Sequence, residues 1–114
     1  MIIGLWSSCT KEIKEDPNDE CFEPILQPSF NIDIVAIMET NCYKCHSNAN
    51  AEDNGGHWKL EDHSDIFPLA KNGSLLSVIK HEPGATPMPL NEDKLHACDI
   101  IAFENWIELG ALNN

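Results

Sequence analysis

The residues of this chain best suited to chemistry lie in one short run, Cys42-Tyr43-Lys44-Cys45-His46. Two thiols three positions apart at a helix end can both add to the vinyl groups on one edge of a porphyrin, and the imidazole that follows can then bind the iron. Imidazole suits iron in both oxidation states, and covalent attachment keeps a small domain from losing the group. The run therefore predicts one covalent haem c, with Cys42 and Cys45 as thioether residues and His46 as the proximal ligand.

Two other kinds of site use the same residue types. A thioredoxin-like dithiol needs a strand before the first cysteine and a helix after it, whereas this sequence predicts a helix before Cys42. A zinc site built from the two cysteines and His46 needs a fourth ligand, and the sequence contains no second C-x-x-C pair and no H-x3-H pair. Both readings remain as alternatives, and the haem interpretation is favoured over them.

Met88 is the best candidate for the second axial ligand of the iron. It stands between Pro87 and Pro89, whose rings restrict the backbone and stiffen the loop that carries the thioether. Met38 lies one helical turn before Cys42, which predicts a core residue. The alternative ligands are the remaining histidines: His57, His63, His81 and His96. A thioether favours ferrous iron, and either kind of ligand closes the iron to substrates, so the prediction is electron transfer.

The segment before the motif predicts a helix, and the segment after it predicts a loop. Over residues 31–41 the apolar side chains recur at spacings of three and four, the period of an amphipathic helix that runs directly into the motif. Residues 47–63 are rich in Asn, Asp and Gly and predict a loop, with at most a short extended piece at 58–60.

Three further helices are predicted towards the C-terminus. Two short ones cover residues 64–70 and 74–81. The last starts after Asn91, with acidic residues in its first turn, and ends before Gly110. The predicted buried face of this last helix consists of Leu95, Cys98, Ala102, Trp106 and Leu109.

Length and charge limit the remaining possibilities. The 114 residues suffice for one compact domain and a tail, in which a cofactor or crosslink is expected to complete a small core. Acidic residues number 19 against 7 basic ones, and the resulting negative potential disfavours binding to nucleic acid. Five cysteines in a chain of this length indicate an oxidising compartment or a cofactor.

Three regions are predicted along the chain. Residues 1–8 are apolar and end in small residues before Cys9, which predicts the remnant of a bacterial lipoprotein signal and a lipid on that cysteine. An ordinary terminus with an unmodified cysteine is the alternative. Residues 9–28 are charged and contain prolines, and they predict an acidic tether. Residues 29–114 are predicted to form the folded domain.

With CYKCH at the end of the first helix, the Pro-Met-Pro loop and the ending Asn-Trp-Ile-Glu-Leu-Gly-Ala, the chain resembles small bacterial class I cytochrome c domains. It looks closest to the planctomycete-type domains and the related lipoproteins of Bacteroidetes. The resemblance covers about residues 29–112, and Gly73-Ser74-Leu75-Leu76 supports it weakly. Many members have a second proline after the ligand methionine, where this chain has Leu90.

The resemblance implies an all-α fold of the class I cytochrome c type, with long loops around a haem in the core. The first and last helices would cross near Trp106, and His46 and Met88 would lie on opposite faces of the haem. It also implies an extracytoplasmic monohaem protein, not an enzyme, that passes single electrons between redox proteins through transient contacts. The alternatives are a haem sensor or peroxidatic domain with a labile sixth ligand, and a non-haem zinc or disulfide lipoprotein.

Two cysteines remain when the two haem cysteines and the lipidated Cys9 are set aside. These are Cys21 and Cys98. One possibility is a disulfide, which would attach the tether to the last helix in an oxidising compartment. The other is a free, buried Cys98 together with an unpaired Cys21.

Overall fold

In the computed structural model, which describes residues 20–114, the chain is all-α, and these residues form no β-strand. The all-α prediction is confirmed at this level. No helix in this part of the chain is both long and apolar enough to span a membrane. The signal remnant predicted over residues 1–8 and the lipid predicted on Cys9 lie outside the described residues.

The helices are short and follow one another closely in the first half of the domain. In chain order they are a π-helical turn (Phe30–Ile34), α1 (Val35–Asn41), α2 (Tyr43–His46), α3 (Ala51–Asn54), α4 (His63–Lys71), α5 (Ser74–Ile79) and α6 (Ala97–Glu108). Ser29 caps the first turn, because its hydroxyl accepts a hydrogen bond from the Ile32 N–H at 3.2 Å. The predicted first helix therefore begins as a π-helical turn and continues as α1.

The hydrophobic core joins the N-terminal helical segment to α6. Phe30 stacks on Trp106 with ring centroids 5.7 Å apart, and Phe103 meets the same indole edge-on at 6.5 Å. The Trp106 ring is fully buried, and its Nε1–H donates to the Leu112 carbonyl at 2.9 Å. Truncating such a ring costs about 3–5 kcal/mol in a typical core, so this contact is a principal link between the two ends of the domain.

The last helix starts later than the sequence predicts. It begins at Ala97, because the His96 Nδ1 accepts a hydrogen bond from the Cys98 N–H at 3.0 Å and so acts as the cap. Asn91 has a positive φ of 61°, which interrupts a helix, and Glu92 pairs with Lys44 instead of lying in the first turn. The prediction of a helix that starts directly after Asn91 is therefore wrong.

The predicted buried face of α6 is correct in part. Leu95, Ala102 and Trp106 are buried and Cys98 is half-buried, whereas Leu109 is 49% exposed, contrary to the prediction. Phe103 is fully buried although it is not part of the predicted face, which contains its neighbours Ala102 and Trp106.

The loop predicted over residues 47–63 contains one helical turn, α3. A turn comes before it, in which the Ser47 hydroxyl accepts from the Asn50 N–H at 3.1 Å, and Asn50 precedes the first residue of α3. Ala51, the first residue of α3, is buried, so the turn packs against the rest of the domain. The two helices predicted over 64–70 and 74–81 agree well with α4 and α5.

A disulfide joins Cys21 to Cys98, 77 residues apart in sequence. A second link lies nearby, where the Asn105 side-chain amide donates to the Ile25 carbonyl at 3.0 Å. Residues 20–28 of the predicted tether contain no helix, and these two contacts hold them against α6.

Removing this disulfide by Cys21→Ser together with Cys98→Ser is expected to destabilise the domain. A crosslink that closes a loop of this length lowers the entropy of the unfolded chain and contributes about 4 kcal/mol. Denaturant unfolding of the double variant, compared with wild type before and after reduction, measures the loss. A double variant within about 1 kcal/mol of the oxidised wild type would contradict the prediction.

Candidate functional site

The residues of the motif lie on a helical segment that is distorted at Cys42. This residue ends α1 and precedes α2, with φ −124° and ψ −35°. Its N–H donates to the Met38 carbonyl at 2.8 Å, and its carbonyl accepts from the N–H groups of Cys45 and His46 at 3.1 and 2.9 Å. The chain therefore stays helical through the distortion and carries both thiols and the imidazole on adjacent turns.

The two thiols of the motif are half-buried, and among the described residues neither has a disulfide partner. Burial, with a smaller contribution from the neighbouring Cys45, raises the pKa of the Cys42 thiol to about 11. Nucleophilic cysteines of redox dithiols instead have lowered pKa values. The electrostatics of Cys42, like the helix before it, therefore do not favour the dithiol alternative.

The imidazole of His46 is oriented by the segment that follows α3. Its Nδ1 lies 2.8 Å from the Trp58 carbonyl oxygen, which can only accept, so Nδ1 carries the hydrogen and donates it. The Leu60 N–H donates to the His46 carbonyl at 2.9 Å, which brings residues 58–60 alongside the motif. A histidine held in this way leaves Nε2 as the ring nitrogen available to bind a metal.

Gly55 allows the polypeptide to pass directly against the motif. A Cβ atom at this position would lie 2.4 Å from the Cys45 carbonyl oxygen and 2.9 Å from the His46 Nδ1. Both distances are shorter than any real Cβ contact, and the first obstacle is backbone, which cannot move aside cheaply. The residue must therefore lack a side chain if the ring is to keep its hydrogen bond to Trp58.

Replacing Gly55 with Ala is expected to displace the imidazole and to destabilise the domain by about 1–3 kcal/mol, the usual cost of overpacking. With the haem predicted from the motif attached, the shift should appear as a changed reduction potential, together with a lower unfolding midpoint. Gly110→Ala is the matched control: its φ of 111° adds backbone strain, but its Cβ would meet only Leu112. Equal potentials in the two variants would contradict the assigned role of Gly55.

His46 and Met88 line the same cleft. Its volume is about 280 Å³, or about 740 Å³ with the open mouth included, within reach of the usual range for small-molecule sites. The other residues that line it are mostly apolar: Trp58, Leu60, Leu69, Ser74, Leu75, Val78 and Thr86. Cys42 and Cys45 do not line this cleft themselves but lie on the turn that ends at His46. The cleft thus combines apolar walls with an imidazole and a thioether from distant parts of the chain.

The other methionine in the described residues has a different environment. Met38 is fully buried in the core and does not line the cleft. Met88 is half-buried, and its N–H donates to the Val78 carbonyl at 2.9 Å. Of the two, Met88 alone is placed where its sulfur could reach a group in the cleft.

The four remaining histidines have other partners, and none of them lines the cleft. His57 Nδ1 pairs with a Glu52 carboxylate oxygen at 3.0 Å on the surface. His63 Nε2 donates to the Ala111 carbonyl at 2.7 Å and packs among the core aromatic rings. His96 caps α6, and His81 Nε2 donates to the Met88 carbonyl at 3.0 Å.

An exposed ion pair connects the motif to the segment that follows Met88. The Lys44 ammonium bonds to a carboxylate oxygen of Glu92, and this bond is the main cause that raises the pKa of the lysine. The pair therefore links α2 to the chain four residues beyond Met88. Pairs this exposed contribute little on their own.

Several residues of the site could not be read from the sequence. Leu69, Leu75 and Val78 come from α4 and α5, whose helical periods were visible but whose orientation was not. The carbonyl of Trp58 and the ring of His81 act through single hydrogen bonds that leave no pattern in the sequence. Of the residues that the sequence did not assign to the site, only Gly55 had a visible signal, because Gly55-Gly56 predicts a loop after the motif.

Comparison of the chain with protein-family models, with curated proteins and with solved structures found no match. Within residues 20–114, no group of three or more His, Cys, Asp and Glu side chains is placed to hold a metal ion by itself. The candidate site is thus defined by its own geometry: one cleft, two candidate axial donors and two adjacent thiols.

Proposed function

We propose that this protein is a monohaem c-type cytochrome that carries single electrons. The observation that carries the proposal is that His46 and Met88, which are distant in sequence, line one apolar cleft, while the two thiols of the motif lie on the helical segment that ends at His46. The apolar walls suit the flat, apolar ring of a porphyrin, and the donor set of one imidazole and one thioether suits iron.

Each residue of the site has a separate task in this proposal. Cys42 and Cys45 would attach the group through thioethers, His46 would bind its iron through Nε2, and Met88 would bind it through sulfur. When bound, the haem supplies a reversible one-electron couple. The Trp58 carbonyl holds the His46 tautomer through its hydrogen bond.

The walls of the cleft favour electron transfer over chemistry on a substrate. Leu60, Leu69, Leu75 and Val78 exclude water, which disfavours the more highly charged oxidised state and raises the potential. If His46 and Met88 both bind the iron, no position would be left on it for a substrate. The protein therefore acts as a carrier in this proposal, with a fold of the class I cytochrome c type.

The proposed location is the periplasmic or cell-surface side of a bacterial membrane, with a lipid anchor on Cys9. The disulfide between Cys21 and Cys98 supports this location, because such bonds persist in oxidising compartments. The partners are redox proteins that bind transiently. A net charge of −12 accelerates encounters with positively charged partner surfaces.

The full chain, expressed in a bacterial host with c-type maturation machinery, provides the test. We expect a red protein whose pyridine haemochrome spectrum gives one haem per chain, with haem that acidified organic solvent does not extract. Carbon monoxide and cyanide should bind slowly. A folded, colourless protein would overturn the proposal, and rapid binding of both ligands at neutral pH would favour the haem-sensor alternative instead.

A further inference from the structure

The ring of His81 lies against the backbone of Met88. The His81 Nε2 is 3.0 Å from the Met88 carbonyl oxygen, and because a carbonyl only accepts, the ring donates this partly buried bond. On its other side, the Met88 N–H donates to the Val78 carbonyl at 2.9 Å. Both peptide groups that flank the Met88 side chain are thus bonded to this region, one to Val78 in α5 and one to His81 just beyond its end.

The chain between these two residues is an exposed loop with few bonds of its own. Residues 82–84, 86 and 87 are exposed, and Ala85 is half-buried. The loop is fixed at its start, where the Glu82 N–H donates to the Ser77 carbonyl at 3.0 Å and the Glu82 carboxylate accepts from the Ser77 hydroxyl at 3.0 Å. Near its far end, the bonds from Val78 and His81 fix Met88.

The backbone of His81 explains how its ring reaches Met88. Its φ of 55° is in the left-handed region, which turns the chain at the end of α5. The loop begins at His81, just after α5, and Met88 at its other end bonds to Val78 of α5. The bond between the His81 imidazole and the Met88 carbonyl therefore joins the two ends of the loop. Left-handed backbone at a non-glycine residue carries strain. At His81 this conformation directs the ring to the Met88 carbonyl, with which it forms its hydrogen bond.

We infer that His81 is a positioning residue for Met88: by holding the Met88 carbonyl, it keeps the methionine sulfur at the iron. The inference rests on the proposed haem ligation. Without the His81 bond, the Val78 carbonyl alone holds the Met88 backbone, and the loop can swing the thioether away from the cleft. His81 therefore sets the fraction of molecules in which the sixth position is closed.

The experiment uses the full haem-loaded chain and adds imidazole to the oxidised protein as a competing ligand. His81→Phe keeps a ring and removes the donor, and it should raise the apparent affinity for imidazole roughly two- to tenfold, the worth of one net hydrogen bond. The methionine-to-iron charge-transfer band should weaken in parallel. His81→Gln restores an N–H donor and should return both readouts towards wild type.

Two further variants separate positioning from general stability. His57→Phe is the matched control, since His57 also has a positive φ, of 70°, but pairs with Glu52 on the surface. It should leave imidazole affinity unchanged. His81→Gly removes the donor while fitting the left-handed backbone, so it tests the inference if His81→Phe does not fold.

Wild-type imidazole affinity in His81→Phe or His81→Gly would overturn the role of His81. So would an equal change in His57→Phe, or a His81→Gln variant no closer to wild type than His81→Phe. If the wild-type protein itself lacks the charge-transfer band, the proposed Met88 ligation fails, and that result is distinct from failure of the His81 inference.

Discussion

Met88→Ala is expected to lower the reduction potential of the haem-loaded protein and to open its iron to added ligands. The thioether stabilises ferrous iron, and its loss should lower the potential by on the order of 0.1–0.3 V, within the roughly 0.8 V that axial ligands span. The shortened side chain also leaves space in the cleft that Met88 lines. Redox titration measures the first effect, and carbon monoxide or cyanide binding at neutral pH measures the second.

A pair of identical substitutions supplies the control for the thioether. Met88→Leu and Met38→Leu each replace sulfur at nearly constant volume, which usually costs less than about 1.5 kcal/mol. Met38 is fully buried in the core, away from the cleft. Only Met88→Leu should lower the potential. An unchanged spectrum and potential in the Met88 variants would exclude Met88 as the ligand.

Replacing both Cys42 and Cys45 with Ala is expected to remove the proposed covalent haem and most of the stability of the domain. The apolar walls of the cleft would then face water instead of the porphyrin. A ligand present at a thousand times its Kd adds about 4 kcal/mol to the folded state, and an attached group acts at least as strongly. Since whole domains are stable by only about 5–15 kcal/mol, cooperative unfolding should weaken or disappear.

The disulfide variant is the matched control for this experiment. Cys21→Ser with Cys98→Ser also removes two cysteines, but it should keep the haem spectrum while it loses stability. Circular dichroism and denaturant unfolding of both double variants make the comparison. A cooperative, well-folded Cys42/Cys45 variant would contradict the view that the haem completes the core.

The local elements of this fold were largely predictable, whereas their ends depended on distant residues. The apolar period that predicts α5 is a property of neighbouring side chains, and α5 was placed within two residues. The start of α6 was misplaced because Glu92, which looks like a first-turn acid, instead pairs with Lys44. No pattern within the segment itself indicates a partner so far away in the sequence.

The candidate site shows the same division. The types and spacing of Cys42, Cys45 and His46 predicted the motif residues of the site. The prolines on either side of Met88 predicted that methionine as a ligand. That His46 and Met88 line one cleft depends on how α4 and α5 pack, which the sequence alone did not specify. Gly55 was visible only as part of a glycine pair, because its function is a close approach to atoms of the motif.

The disulfide between Cys21 and Cys98 has a topological consequence. The loop that it closes contains all of the proposed haem-binding residues, Cys42, Cys45, His46 and Met88. A protease that cuts the exposed stretch at 82–84 therefore yields two fragments that remain one molecule under oxidising conditions. Such a nicked protein would migrate as an intact chain in a non-reducing gel and separate into two bands only after a thiol is added.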